Sequence, residues 1–225
     1  MKNICLIPAR GSSKRIPKKN IVDFYGKPMI AHTIEAAIKS RLFRDNIYIS
    51  SDSKEILAVA DSYKDVKKIL RPAEISGDKA SLEDVTLHLL ENIDVKFDNL
   101  CMLMPNCPLR NAEDVKKSYE ILRKLKKNCL MSVVDYHWLC PFWALEEKNG
   151  RLDFFFGKKY LVDSKKLPKV YCPSGAVRWV KVANFLKEKK YYGKDLAKYL
   201  IPLERSVDID NFEDLALAKK LFKIK

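Results

Sequence analysis

The residues best suited to chemistry lie in a basic segment, residues 8–20, with the sequence PARGSSKRIPKKN. The segment directly follows an apolar run and joins a Gly-Ser-Ser turn to five cations: Arg10, Lys14, Arg15, Lys18 and Lys19. Backbone N–H groups in such a turn surround phosphate oxygens, and Arg and Lys side chains neutralise them. A single glycine excludes a Walker A loop and a G-x-G-x-x-G motif. The alternative is a solvated basic loop, but ligands of α/β proteins bind where strands end, which favours a phosphate site.

A second candidate site is the acidic stretch at residues 207–210, Val-Asp-Ile-Asp. On a strand, Asp208 and Asp210 would face the same side, and paired carboxylates suit Mg²⁺, which prefers oxygen ligands. The alternative is that Asp210 helps to cap a helix that starts near Asn211, and the spacing does not choose between the two. A cationic phosphate loop combined with a metal-binding acidic pair describes a nucleotidyl transferase.

The elements that must position these groups alternate between apolar strands and helical patterns as far as residue 135. Strands are predicted over residues 3–9, 46–50, 67–70, 100–104, 129–134, 176–181 and 206–209. Helices are predicted over residues 29–40, 53–62, 82–92, 112–126, 182–189 and 211–222, and those at 53, 82 and 112 take Asp52, Ser81 and Asn111 as N-caps. This alternation predicts a single α/β domain over residues 1–225, with a mainly parallel sheet and helices on both faces.

The alternation breaks in the segment 136–170, which is rich in lysine and in large aromatic residues. The aromatic side chains are Trp138, Trp143, Phe154, Phe155, Phe156 and Tyr160. Exposed aromatic clusters usually mark a partner surface. The segment is therefore predicted to be an inserted arm outside the sheet.

Composition narrows the class of protein. The 225 residues, 47% of them hydrophobic, are enough for one core, and no run approaches the roughly 18 apolar residues of a membrane span. The first ten residues lack a secretory cleavage pattern, so we predict a cytoplasmic protein without a membrane partner. Six cysteines without a C-x-x-C pair argue against a zinc site. The net charge of +14 would suit a nucleic-acid binder, but the lysines are spread along the whole chain.

At this point the chain resembles the acylneuraminate cytidylyltransferase family, whose members make CMP-sialic acid and related CMP-nonulosonates. The matching stretches are IPARGSSK (7–14), KNI (19–21), GKPMI (26–30), SSDS (50–53), RPAEI (71–75), DKAS (78–81), PNCPLR (105–110) and SVDID (206–210). Their order and spacing hold across nearly the whole chain.

The resemblance implies a Rossmann-like nucleotide-diphospho-sugar transferase fold with a CTP site. The implied catalytic residues are the triphosphate-binding cations Arg10, Lys14 and Lys19; the implied cytidine-binding residues are Asn20, Arg71, Ala80 and Ser81; the implied Mg²⁺ ligands are Asp208 and Asp210. The acceptor would be an acidic nine-carbon sugar. The resemblance also implies a homodimer that exchanges the aromatic arm, and the catalytic base stays unassigned.

Three departures from the family pattern fall on the acceptor side of the site. Met104 stands where the family often has Gln, the segment 174–178 reads SGAVR instead of NGAIY, and CPFW (140–143) replaces the family's His-Pro region. Arg178 is the candidate for the sugar carboxylate, with Lys165 or Lys166 as alternatives. The competing interpretation is that all three are ordinary surface cations. Two other functions compete: a nucleotidyltransferase for another sugar or polyol phosphate, and a non-enzymatic nucleic-acid binder.

Overall fold

A computed structural model describes residues 1–224 of the chain. The strands are β1 (Asn3–Pro8), β2 (Ile47–Ser51), β3 (Val66–Leu70), β4 (Asn99–Met102), β5 (Cys129–Asp135), β6 (Leu145–Lys148), β7 (Arg151–Phe154), β8 (Tyr171–Lys181) and β9 (Leu196–Leu200). The helices are α1 (Met29–Ser40), α2 (Lys54–Val59), α3 (Leu82–Glu91), α4 (Ala112–Lys124), α5 (Val182–Glu188) and α6 (Phe212–Lys223).

Seven of the strands form one sheet in the order β3-β2-β1-β4-β8-β5-β9. Neighbouring strands are parallel except at β8, which runs antiparallel to both β4 and β5. The predicted mainly parallel sheet is therefore confirmed. Because β1, β2 and β4 are parallel, their carboxyl ends and the loops that follow them meet at one edge of the sheet.

Helices cover both faces of the sheet, as the alternation of elements predicted. Alternate residues of β1 show why: Cys5 and Ile7 pack with α1, α2 and α4, whereas Ile4 and Leu6 pack with α3 and α5. All six residues of β1 are buried. A strand covered on both faces reads as a continuous apolar run, which is the pattern that marked β1 in the sequence.

The predicted capping residues are mostly correct. Ser81 and Asn111 cap α3 and α4 as predicted, each in a capping box with an aspartate three residues later. Asn211, which was predicted only as the start of a helix, caps α6 in the same way. The assignment of Asp52 to α2 is wrong, because Ser53 is the N-cap and accepts a hydrogen bond from the backbone N–H of Ile56. The carboxylate of Asp52 instead accepts from the backbone N–H of Gly11 at 2.7 Å.

The strand predicted at 206–209 is also wrong. That segment is irregular, and the edge strand of this region is β9, which pairs in parallel with β5. In β9 the side chains of Ala197 and Tyr199 are buried while their neighbours face solvent, as expected of an edge strand with one covered face. The exposed positions of β9 are Leu196, Lys198 and Leu200, so this edge strand lacks the clear alternation of apolar and polar residues, and the Val-Asp-Ile pattern was taken for the strand instead.

The segment 136–170 lies outside the seven-stranded sheet. It contains the antiparallel hairpin β6–β7, which forms a separate two-stranded sheet, and three short 3-10 turns. Several of its aromatic side chains are open to solvent, including Trp138, which is 77% exposed, and Phe155, which is 59% exposed. Its role as a dimerisation arm stays a prediction.

The helices of residues 1–224 include none with both the length and the apolar character that a membrane crossing requires.

Candidate active site

The basic segment leaves the carboxyl end of β1 and packs closely on the turn between β2 and α2. Gly11 is the point of contact, since its N–H donates to Asp52 and a Cβ at this position would lie 2.9 Å from the Cβ of Ser53. Such a distance is too short for a real side chain, so the close approach requires glycine. This packing fixes the start of the loop that carries the predicted phosphate-binding cations.

Lys19 joins the basic segment to the acidic stretch 190 residues later. Its ammonium group donates to Oδ1 of Asp210 at 2.8 Å and to the carbonyl oxygen of Ile209 at 2.8 Å. Only 15% of the Lys19 side chain is exposed. Its hydrogen bond is the main reason why the pKa of Asp210 is lowered, and Arg15 adds a second bond at 3.0 Å. The two motifs found separately in the sequence therefore form one constellation.

Arg10 and Lys14 share a different carboxylate partner, Asp78. Asp78 accepts from Arg10 at 2.8 Å and from Lys14 at 2.6 Å, and these hydrogen bonds, that of Lys14 first, lower the pKa of its carboxyl group. Asp78 was not among the predicted site residues. It belongs to the stretch DKAS, where the sequence drew attention to Ala80 and Ser81 instead.

Asp208 lies beside this constellation, but not on a strand as predicted. Protein atoms packed around its carboxyl group raise its pKa, and the nearby charge of Asp210 raises it further. The side chain of Asn106 donates to Asp208, and a Cβ at Gly175 would lie 3.0 Å from Asp208 Oδ2. The two carboxylates are thus neighbours in an irregular loop, where Asn106 holds Asp208 and Lys19 holds Asp210.

The geometry also answers whether Asp210 caps α6. Asn211 is the N-cap, and the carboxylate of Asp214 accepts from the backbone N–H groups of Asp210 and Asn211 at 2.9 and 3.1 Å. The side chain of Asp210 is directed to Lys19 and Arg15 instead. Helix capping therefore does not account for this carboxylate.

A cavity of about 260 Å³ adjoins the basic segment. Six of the predicted residues line it: Arg10, Lys19, Asn20, Arg71, Ala80 and Ser81. A smaller cavity of about 160 Å³ beside it is lined by Lys14, Ser12, Ser13 and Asp210, among others. The structure thus brings the predicted triphosphate and cytidine residues together at the carboxyl edge of the sheet.

Two of the lining residues, both of them buried, are fixed by hydrogen bonds to backbone carbonyl groups. Asn20 donates to the carbonyl oxygen of Arg10 at 2.9 Å and so shapes the loop as well as the cavity wall. Arg71 donates to the carbonyl oxygen of Ser50 at 2.7 Å, at the end of β2. Burial lowers the pKa of Arg71, while the charge of Asp52 acts in the opposite direction. Both side chains are therefore held in place by the protein itself.

Arg178 occupies a different position, on β8 opposite Met102 of β4 and Met131 of β5. It is half-buried, and its Nε atom has no hydrogen-bond partner among residues 1–224. The positive charge of Arg178 acts to lower the pKa of Asp208 and so opposes part of the net increase. It lies near the acidic pair and does not line the cavity of Arg10 and Asn20. The alternatives Lys165 and Lys166 are exposed on the arm.

Sequence reasoning missed a buried arginine beneath the site. Arg110 is 2% exposed and donates from Nε to the carbonyl oxygen of Ala176 at 2.9 Å. Its NH2 group donates to the carbonyl oxygen of Met104 at 2.9 Å and to Thr33 Oγ1 at 3.1 Å. It therefore ties the loop after β4 to β8 and α1. The PNCPLR stretch that contains Arg110 and Asn106 was the available signal, but it gave no indication of these partners.

A larger cavity, about 760 Å³, lies at the opposite edge of the sheet and is lined by Lys2, Arg41, Arg44 and Arg123. None of the predicted site residues faces it. Residues 1–224 hold no group of three or more His, Cys, Asp or Glu side chains placed to bind a metal ion. A metal at the candidate site would therefore have two protein carboxylates and would take its other ligands from water and substrate, as Mg²⁺ commonly does.

Comparisons with known proteins agree with this geometry. A family model described as cytidylyltransferase matches residues 4–137. A pseudaminic acid cytidylyltransferase from Campylobacter jejuni is 34% identical over 227 residues, which covers 100% of this chain and 97% of that protein. An N-acylneuraminate cytidylyltransferase from Escherichia coli is 30% identical and covers 96% of this chain and 51% of that protein.

Solved structures show the same fold. One is a CMP:2-keto-3-deoxy-manno-octonic acid synthetase complexed with CTP, which superposes with a TM-score of 0.71 at 16% identity and covers 100% of this chain and 99% of its own. The predicted Rossmann-like transferase fold and the resemblance noted in the sequence are both confirmed. The chain therefore belongs to the cytidylyltransferase family, among relatives named for pseudaminic acid and N-acylneuraminate.

Proposed function

We propose that the enzyme transfers CMP from CTP to the anomeric hydroxyl of a nonulosonic acid and releases pyrophosphate. The names of its relatives support this reaction, and one observation of the site carries it. Lys19 connects a loop of cations to a pair of carboxylates at the sheet edge, beside a cavity lined by the other predicted nucleotide residues. Phosphate-binding cations and metal-binding oxygens are the two components that phosphoryl transfer needs.

The triphosphate binds along the basic segment in this proposal. Arg10, Lys14 and Lys19 offset its negative charge, and the backbone of the Gly-Ser-Ser turn offers N–H donors. The cytidine occupies the cavity of about 260 Å³, where Asn20 and Arg71 form part of the wall. Because hydrogen bonds within the protein hold both side chains, little ordering is needed on binding.

Asp208 and Asp210 fit a Mg²⁺ site. Protein atoms around the carboxyl group and the charge of Asp210 raise the pKa of Asp208 although the residue is open to solvent, so an ionised Asp208 would be stabilised by a nearby cation. When bound, Mg²⁺ would offset the charge that develops on the α-phosphate and on the departing pyrophosphate. Lys19 and the metal ion would then share the neutralisation of the Asp210 charge, and Lys19 would also hold the Asp210 carboxylate in position.

The protein needs no covalent intermediate for this reaction. The anomeric hydroxyl gives up its proton to water as its oxygen bonds to the α-phosphorus, and the bond from the α-phosphorus to the pyrophosphate breaks in line with it. Arg10 and Lys14 retain the departing pyrophosphate, so positioning and charge stabilisation supply the rate acceleration. Cys107 is the thiol near Asp208, but burial raises its pKa well above the usual range, and the charge of Asp208 raises it further. This thiol therefore stays protonated and is no nucleophile.

Arg178 is proposed to bind the carboxylate of the acceptor sugar. Its guanidinium lies close enough to Asp208 to affect its pKa, and its Nε lacks a partner within residues 1–224. A half-buried arginine without a bonded carboxylate is suited to bidentate recognition of a ligand carboxylate. Arg178→Lys should therefore raise KM for the sugar more than KM for CTP.

A homodimer formed through the segment 136–170 completes the proposal. Trp138 and Phe155 are too exposed for a surface without a partner, and aromatic residues commonly anchor interfaces. Sedimentation of the purified protein tests this: one chain has a mass of 26.0 kDa, and a dimer would have twice that mass. A species at the single-chain mass would contradict it. The cytoplasmic location and the absence of nucleic-acid and membrane partners stay predictions.

A pyrophosphate-release assay tests the reaction itself. Purified enzyme, CTP and Mg²⁺ are combined in turn with pseudaminic, N-acetylneuraminic and legionaminic acid, and with a sugar 1-phosphate and a polyol phosphate. We expect release only with one or more of the nonulosonic acids, and loss of release in excess EDTA. Release with a phosphate acceptor instead would support the competing nucleotidyltransferase function.

A further inference from the structure

Asp78 holds the two cations that the proposed function assigns to the triphosphate. Its carboxylate binds Arg10 through one oxygen at 2.8 Å and Lys14 through the other at 2.6 Å. All three side chains are partly open to solvent, so no buried network holds them together. A carboxylate with an oxygen on each of two cations occupies them as phosphate oxygens would.

Asp78 also belongs to a chain segment several of whose other residues form part of the wall of the neighbouring cavity. It lies within residues 76–81, and Ser76, Gly77, Ala80 and Ser81 line the cavity proposed for the cytidine. Gly77 has no atom within 4 Å of the place where a Cβ would stand, so the segment has space around it. The ion pairs of Asp78 therefore connect the cavity wall to the phosphate loop.

We propose that Asp78 is an internal competitor of the triphosphate, which must displace its carboxylate from Arg10 and Lys14. The proposal rests on the proposed function, because it takes these two cations as phosphate ligands. If the Asp78 carboxylate stayed on Arg10 and Lys14, it would lie in contact with the phosphate oxygens bound to the same cations. Like charges in contact repel each other strongly. A ligand with phosphates must displace the carboxylate, whereas cytidine, which has no phosphate, does not compete with it for charge even though Arg10 also lines the cytidine cavity. Asp78 thereby sets how strongly phosphate-bearing ligands bind.

The size of the effect follows from the exposure of the ion pairs. Exposed ion pairs of this kind are weak. The loss of two of them together changes the dissociation constant of a competing ligand by roughly 3- to 10-fold. Asp78→Asn removes the competing charge and keeps the shape of the side chain. Pyrophosphate and CTP should therefore bind about 3- to 10-fold more tightly to this variant. The affinity for cytidine should stay the same.

Isothermal titration of the full chain with pyrophosphate, CTP and cytidine, in Mg²⁺ and without acceptor sugar, tests the proposal. Asp45→Asn is the matched control, because Asp45 makes an exposed ion pair with Lys67 at 3.4 Å just before β2, at the opposite edge of the sheet. Asp78→Ala serves as a second variant in case the new amide makes a hydrogen bond of its own. Tighter binding of pyrophosphate and CTP by both Asp78 variants, with the control unchanged, is expected.

Unchanged or weaker binding by both Asp78 variants would overturn the proposal, and weaker binding would mean that Asp78 stays in place and positions Arg10 and Lys14. That failure leaves the proposed function intact as long as the wild-type chain binds CTP. If the wild-type chain binds neither CTP nor pyrophosphate, the proposed function fails and the role of Asp78 fails with it.

Discussion

A methyl group added to Gly175 tests how closely this residue packs against Asp208 in the candidate site. In Gly175→Ala the new Cβ would lie 3.0 Å from Oδ2 of Asp208 and 3.3 Å from Cγ of Met104. The backbone at Gly175 is not in the left-handed region, so crowding is the only obstacle to a side chain. The contact with Asp208 falls on a proposed metal ligand, and relief of the overlap requires that this carboxylate shift.

The expected cost is larger for activity than for stability. Overpacking of this extent costs about 1 kcal/mol, partly offset by the lower entropy of the unfolded chain with alanine. That corresponds to a melting temperature lower by roughly 2–4 °C for a chain of this size. Displacement of a positioned catalytic group by a fraction of an ångström reduces kcat/KM by about 10- to 100-fold.

Gly193→Ala is the matched control, since no atom lies within 4 Å of the place where its Cβ would stand. Thermal unfolding and pyrophosphate release are measured for both variants and the wild type. We expect Gly193→Ala to keep full activity and to change the unfolding free energy by less than about 0.5 kcal/mol. Equal activity of the two variants would refute the inference that Gly175 gives Asp208 its place.

Three further predictions concern the charged groups. Asp210→Asn should lower kcat at least ~100-fold, because it removes a ligand of the proposed Mg²⁺, and full activity of this variant would contradict the metal site. Asp208 has a raised pKa, so kcat/KM should fall as the pH drops through a value above that of an ordinary aspartate. A raised pKa also means that the folded state disfavours the ionised carboxylate, so Asp208→Asn should raise the melting temperature at neutral pH. A lower melting temperature would show that the ionised form is favoured. Asp114 is fully buried and accepts from Arg205 at 3.0 Å, so Asp114→Asn should lower the unfolding free energy by about 2–3 kcal/mol, whereas Glu113→Gln, at an exposed neighbour, should change it little in the same denaturant titration.

The features that the sequence predicted well are governed by local patterns. The apolar run of β1 and the capping residues Ser81 and Asn111 depend on neighbours within a few positions, and all three were correct. The basic segment was placed correctly for the same reason, because it directly follows β1. Short-range rules of this kind need no knowledge of the tertiary structure.

The features that were missed depend on contacts between distant parts of the chain. Asp52 was taken for a helix cap, but the approach of Gly11 gives its carboxylate a different partner. Asp78 was passed over because its partners, Arg10 and Lys14, lie 64 or more residues away. The strand expected around Asp208 is absent because β9 takes the edge of the sheet. Sequence spacing alone carries no signal for such competition between partners.

³¹P NMR of the complete reaction follows each phosphorus of CTP and tests the transfer of CMP most directly. With a nonulosonic acid that supports pyrophosphate release, we predict that the α-phosphorus signal moves to that of a phosphodiester joined to the sugar. The β- and γ-signals should appear together as pyrophosphate in equal amount, and Lys19→Met should slow both changes to the same extent. Release of the γ-phosphorus as orthophosphate, or an α-phosphorus that stays in free CMP while the sugar is unchanged, would contradict CMP transfer.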